Sequence, residues 1–220
     1  MVKIERSYPA PSSLKEKKSY RESDVISQLI KDFHGKCYIC EIGNLSDIEV
    51  EHLLPHYNGA YLDRKFDWDN LFLSCGHCNG IKNSRKYDEK ILDCCKVDPE
   101  EKLIFKIEED RVEVFVRDEK ATEIEKMTAQ LIYEVFNLKN TGIRIVMCEK
   151  RVEELTKEMN MLYTNLEKCK STNNKKSLRI IKAILRRSSP FSAFKREYIR
   201  MNREKYSELE DIFFEVEILN

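Results

Sequence analysis

Four cysteines constrain this chain more than any other feature. Cys37-Tyr38-Ile39-Cys40 opens a segment that Cys75-Gly76-His77-Cys78 closes. A two-residue gap lets both thiolates of a pair reach one ion, and a second pair completes a tetrahedron from a distant point in the chain. Four free buried cysteines are the alternative, and they compete poorly once two such pairs flank a Glu-His dipeptide. An ion held by four thiolates is saturated. Zn²⁺ bound in this way is structural and clips together a small unit that has little core of its own.

Between the clips, Glu51-His52 ends a short β-prone run, Ile48-Glu49-Val50. Neighbours on a strand point to opposite faces, so one side chain can turn to a metal and the other to a water. Asn70 follows in Trp68-Asp69-Asn70-Leu71. Asn79 falls in the first turn of a helix expected to start at the second cysteine pair. The whole pattern resembles the HNH nucleases, the ββα-metal fold. Glu51-His52 matches the first Asp/Glu-His element of that family and Asn70 its middle asparagine. Cys75 to Lys82 matches the C-x-x-C-N-x-x-K helix of one large branch.

The resemblance implies hydrolysis of phosphodiester bonds in DNA. His52 is the candidate general base, because imidazole accepts a proton near neutral pH. Glu51 and Asn79 offer hard oxygen ligands to a catalytic Mg²⁺ or Mn²⁺. Asn70 is expected to orient His52 by hydrogen bonding. Lys82, one turn past Asn79, faces the phosphate or is a surface lysine. His56 stands where the family does not call for a histidine; it is a third metal ligand, a substrate contact or a loop residue, and the last is favoured. His77, between two zinc cysteines, is not expected to replace either.

Further features are similar to one subgroup, the PtuB-like nucleases of Septu and some retron antiviral systems. They are the run from Asp32 through Glu41, Asn137 after an Ile/Leu helix, and Pro190-Phe191-Ser192 before a final helix. That resemblance implies antiphage defence and a complex with an ABC/SMC-type, PtuA-like ATPase, with or without a retron RNA/DNA. Leu54 stands where the subgroup often has arginine, which bears on substrate contacts. The alternative from another class is a zinc-stabilised nucleic-acid-binding adaptor without cleavage of its own.

At 220 residues the chain is one domain with additions or two small domains. Basic and acidic side chains balance at 39 each, which excludes a globally basic nucleic-acid coat but not a local basic surface. The remaining cysteines, Cys94, Cys95, Cys148 and Cys169, read as reduced core residues in helices. Met1 to Arg6 has no apolar run behind it, and no stretch reaches the length of a membrane span. A reducing cytoplasm, with no membrane partner, is the expected setting.

The fold class expected is α+β and mainly helical. It comprises an arm over 1–21, a zinc-stabilised ββα unit within 22–100, and a hairpin with helices over 101–220. The arm, with Pro9, Pro11 and a Lys-rich run, is either disordered or ordered by a partner. A helix is expected over 22–34, capped by Ser23 and stopped by Gly35. Tyr57 to Asp67 is expected as a loop between the two strands. Leu103–Ile107 and Val112–Val116 read as a hairpin, and 121–138 as a helix. Ile145, Cys148, Val152, Leu155, Met159, Leu162, Leu166 and Cys169 form a heptad-type stripe. It suits an intramolecular bundle or, less well, a seam for a second chain. The last helix is expected to begin with Ser189 as cap and Pro190 at its first position. From 175 to 205 the chain is strongly basic, and either pairs with the acidic end at 208–217 or meets phosphate or an acidic partner.

Overall fold

A computed structural model describes residues 1–109, 111–172 and 175–209, so the acidic end over 208–217 lies outside the described side chains. Five residues, Ile48–His52, form β1, which pairs antiparallel with β2, Leu71–Cys75. Cys75 then caps α3, Gly76–Lys82. The register sets Ile48 opposite Cys75 and His52 opposite Leu71, so the cysteine end and the histidine end lie one strand length apart. All of β2 is buried, because Phe33 and Tyr38 pack against Phe72 from the preceding segment, with ring centroids 5.6 and 4.9 Å from it. The Tyr38 amide donates to the Leu73 carbonyl, which fastens the first cysteine pair to the same strand. The expected ββα arrangement is therefore present. The 57–67 loop departs from expectation by containing a one-turn helix, α2, Leu62–Lys65.

Helix α1, Ser23–Asp32, buries Val25 and Leu29, and Gly35 follows at φ +66°. Ser23 is already helical; Glu22 takes the cap position with no side-chain bond, so the serine cap is corrected. The arm is neither disordered nor waiting for a partner. Met1, Val2, Ile4 and Leu14 are buried, and Arg6 lies over the Trp68 and Phe72 rings while donating to the Trp68 and Leu71 carbonyls. The chain's own first residues thus complete the small core that the ββα unit lacks.

The second half is built on a hairpin, β3 Leu103–Glu108 with β4 Arg111–Val116, covered by α4, Glu123–Asn137. Thr122 and Glu125 form a reciprocal cap at the start of α4. Asn137 at its other end donates to the Val112 carbonyl of the hairpin. Helix α5, Gly142–Thr172, turns its stripe inward: Cys148, Leu155, Leu162 and Leu166 are fully buried. The stripe is therefore largely spent within the chain, as the bundle reading expects, although Ile145 is exposed. Cys94 and Cys95 sit in a turn rather than a helix.

Helices α6, Lys175–Ile184, and α7, Ser192–Met201, carry the basic run. Much of it, with Arg187 between the two helices, points inward; the expected pairing with 208–217 falls outside the described side chains. Arg187, Arg196 and Arg200 all reach the buried Glu100, at 3.2, 2.7 and 3.1 Å, and Lys195 reaches Glu158 at 2.7 Å. Helix α7 begins later than expected, after Phe191 in a left-handed conformation, so Ser189 and Pro190 are not its cap and first residue. Its cap is remote in sequence. The buried Glu41 carboxylate accepts from Ser192 Oγ at 2.9 Å and from the Ala193 amide, and it is neutralised by Lys36 and the Met1 amino group. Burial alone would raise the Glu41 pKa, but the two cations and the serine hydroxyl outweigh it and hold it at about 2. Two of the subgroup motifs, one ending in Glu41 and one around Ser192, thus meet in space.

Candidate active site and zinc knot

Cys37, Cys40, Cys75 and Cys78 are buried, with their sulfurs all within 4.8 Å of one another. Zinc–sulfur bonds of about 2.3 Å need such a cluster, and a four-thiolate donor set suits zinc. The cluster receives a cation from the other half of the molecule: Arg151 of α5, itself buried, donates to Cys75 Sγ at 2.9 Å. Hydrogen bonds from the other three thiols, with Arg151 beside it, push the Cys75 thiol far below its ordinary range. Zn²⁺ with four thiolates carries two net negative charges, which a buried guanidinium offsets. His77 takes no part, since its Nε2 lies 2.9 Å from the Val135 carbonyl.

At the other end of β1 a cavity of about 490 Å³ is lined by Glu51, His52, His56, Asn79 and Lys82, with Tyr20, Arg21 and Arg85 around them. The structure thus brings the sequence-derived set to one place, Asn70 excepted. His52 is half-buried, and its Nε2 lies 3.1 Å from the Lys65 carbonyl. A carbonyl only accepts, so Nε2 carries the ring proton and Nδ1 keeps its lone pair. Burial lowers the His52 pKa, with His56 and Lys82 acting in the same direction and the Lys65 carbonyl opposing. Burial thus favours the neutral ring, with the Glu51 carboxylate opposing it.

Asn70 does not touch the His52 ring, which corrects the expected direct bond. Its amide oxygen accepts from the Leu54 amide at 2.7 Å, and its nitrogen donates to the Leu54 and Arg64 carbonyls, both at 2.9 Å. It pins the backbone on both sides of the loop, including the residue next to the Lys65 carbonyl. Its link to His52 runs through that backbone.

Glu51 is only 3 % exposed. Its Oε1 lies 2.6 Å from Lys82 Nζ and its Oε2 accepts from the Tyr38 hydroxyl at 2.8 Å. Lys82 is buried and also donates to the His52 and Leu53 carbonyls, both at 3.1 Å. It is neither a surface lysine nor a free phosphate contact: it neutralises Glu51 and holds the end of β1. Each Glu51 oxygen retains a lone pair beyond these bonds. Asn79 is half-buried, and among the described residues its side-chain amide has no hydrogen-bond partner. A carboxylate and an amide oxygen are donors that fit Mg²⁺ or Mn²⁺, which keep most of their coordination positions for water and phosphate.

His56 fits the metal poorly. Among the described residues the four cysteines are the one group of three or more His, Cys, Asp or Glu close enough to share an ion, so Glu51, His52 and His56 form no second such group. His56 Nδ1 accepts from the Gly59 amide at 2.9 Å, whereas a ligating histidine ordinarily donates through its second nitrogen.

Two contributors had no readable signal. Tyr20, at the end of the arm, packs edge-on against His52 with centroids 4.6 Å apart. The Lys65 carbonyl that fixes the tautomer is a backbone atom, which no residue type announces.

Comparison with known proteins agrees with this geometry. Residues 37–85 match the family model for HNH endonuclease, under a quarter of the chain. A search of curated proteins found no match. Residues 37–85 form an HNH endonuclease domain with a four-cysteine cluster, and no helix among the described residues is long and apolar enough to cross a membrane.

Proposed function

We propose, from the HNH endonuclease domain at residues 37–85, that the chain hydrolyses phosphodiester bonds of DNA in a metal-dependent reaction. The observation that carries this is His52: its Nε2 is fixed by the Lys65 carbonyl, and its ring borders the same cavity as Glu51 and Asn79. His52 Nδ1 takes the proton of a water lying between the ring and the phosphate. Asn70 keeps the base in register through the backbone at Leu54 and Arg64. Lys82 pairs with Glu51 within its buried surroundings. Arg21 and Arg85 at the rim favour the phosphate backbone. A Mg²⁺ or Mn²⁺ held by Glu51 and Asn79 would supply Lewis-acid stabilisation of the developing charge. Zinc at the four cysteines holds α3, and so Asn79, in place.

A second reading, a zinc-stabilised adaptor without cleavage, is favoured by one observation: both Glu51 oxygens already have protein partners. Plasmid nicking separates the two. The wild type with Mn²⁺ should cut and His52→Ala should not; equal cutting by both removes His52 from the mechanism. The finer proposal is a nuclease subunit of an antiphage complex with an ABC/SMC-type ATPase. What supports it is the resemblance around Asp32–Glu41, Asn137 and Pro190–Ser192. Purification of the tagged chain from its native cells should bring down such an ATPase, and its absence counts against the assembly.

A further inference from the structure

Two histidine rings stand together in the cavity, and the nuclease reading gives a role to only one. The centroids of His52 and His56 are 4.6 Å apart and their planes cross at 70°. Backbone groups fix both rings as the Nε2–H tautomer but leave opposite nitrogens open. The Lys65 carbonyl makes Nε2 of His52 a donor and leaves Nδ1 as a base. The Gly59 amide can only donate, so His56 Nδ1 is an acceptor and the His56 proton sits on Nε2. The turn that enforces this holds Tyr57 and Asn58 at φ 46° and 55°, a region that residues with side chains enter at a cost.

That arrangement disfavours two of the three roles open to His56. A metal ligand would need the nitrogens used the other way round. A loop residue would not be half-buried, stacked edge-on against the base and close to Tyr20, whose ring centroid is 6.2 Å away. Among the described residues no acceptor pairs with His56 Nε2. Lys82, a cation lining the same cavity, already serves Glu51 and two carbonyls.

Resting on the nuclease reading, we infer that His56 donates its Nε2 hydrogen to a non-bridging oxygen of the scissile phosphate and so aligns phosphorus with the water that His52 activates. The water proton goes to His52 Nδ1, the new P–O bond forms as the bond to the departing oxygen breaks, and that oxygen takes its proton from solvent. The His56 hydrogen stays on its nitrogen. The Gly59 amide holds Nδ1 as an acceptor, so Nε2–H is the group left to meet the phosphate.

The test is single-turnover cleavage of duplex DNA with Mn²⁺, comparing wild type, His56→Phe and His56→Gln. Substrates are a normal duplex and one with a methylphosphonate at a mapped cleavage position, which removes one charged non-bridging oxygen. Phenylalanine keeps the ring packing without the donor; glutamine restores an amide donor. His56→Phe should cut roughly 10- to 100-fold more slowly, the range for losing a hydrogen bond to a charged group, and His56→Gln should recover part of that. Methylphosphonate should slow the wild type and add little to His56→Phe. The Mn²⁺ concentration needed for half-maximal rate should stay constant. Wild-type rates in His56→Phe, an undiminished methylphosphonate penalty, or a 10-fold or larger move in the Mn²⁺ requirement overturns the inference while leaving a nuclease in place. A wild type that does not cut, or a His52→Ala that cuts equally, overturns the nuclease reading and His56's role with it.

Discussion

The two ends of β1 and β2 solve opposite problems. At the cysteine end the donor set is closed: four sulfurs face one point, Arg151 offsets part of their charge, and the surroundings are dry. At the histidine end several groups are held rigidly yet left incomplete. His52 keeps a lone pair, His56 a hydrogen and Asn79 a whole amide, all bordering a 490 Å³ cavity. A saturated ion stabilises, whereas chemistry needs open positions and pre-aimed donors. The short strands carry order from the first end to the second, since Cys75 closes β2 and caps the helix that bears Asn79.

The contrast can be broken in several ways. Cys75→Ser should be the most damaging change, because a structural zinc site contributes on the order of 10 kcal/mol to folding. The chain is expected to lose zinc and its cooperative thermal transition together; a folded, zinc-free variant would show that the knot is dispensable. His52→Ala should do the reverse, slowing cleavage about 10²- to 10⁴-fold while the melting temperature barely moves. A large drop in melting temperature would mean that the cavity is structural as well.

Glu41 tests whether the brace beneath α7 is a third region independent of both. Its folded pKa, about 2, lies below the usual 4.5, so its contribution to stability is present above pH 4.5 and fades as the pH falls towards 2. Glu41→Gln should therefore cost about 3 kcal/mol at pH 7, at roughly 1.4 kcal/mol per pKa unit. In denaturant titrations the gap between wild type and variant should shrink steadily below pH 4.5; a gap that does not depend on pH would assign the effect to packing. The smallest effect belongs to Arg151→Met. Loss of an outer partner typically weakens a metal site about 10- to 100-fold, which competition with a chromophoric chelator would read. If this change also slows cleavage as much as His52→Ala does, the two ends are not separable.

Several features were legible because they are local. The hairpin over 103–116 shows alternating burial, the helix expected over 121–138 runs Glu123–Asn137, and β1 stops at His52 as its β-prone run does. The misread features are long-range. Ser23 and Ser189 looked like caps, but the second helix takes its cap from Glu41, about 150 positions away. Lys82 looked exposed because lysine usually is, and only the fold reveals that Glu51 needs a buried partner. Lys195 and Arg196 of the basic run looked like surface residues because acidic partners of theirs, Glu158 and Glu100, lie in other segments.

What the sequence alone determined is the four-cysteine cluster and the identity of the candidate site residues. Two cysteines with two residues between them reach one ion whatever the rest of the chain does, and Glu51, His52 and Asn79 carry their chemistry in their side chains. Only the tertiary structure decided which nitrogen of each histidine is free, how Asn70 acts and what the arm is for. Those answers lie in backbone carbonyls and amides, which every residue possesses, and in contacts between segments that share no periodicity.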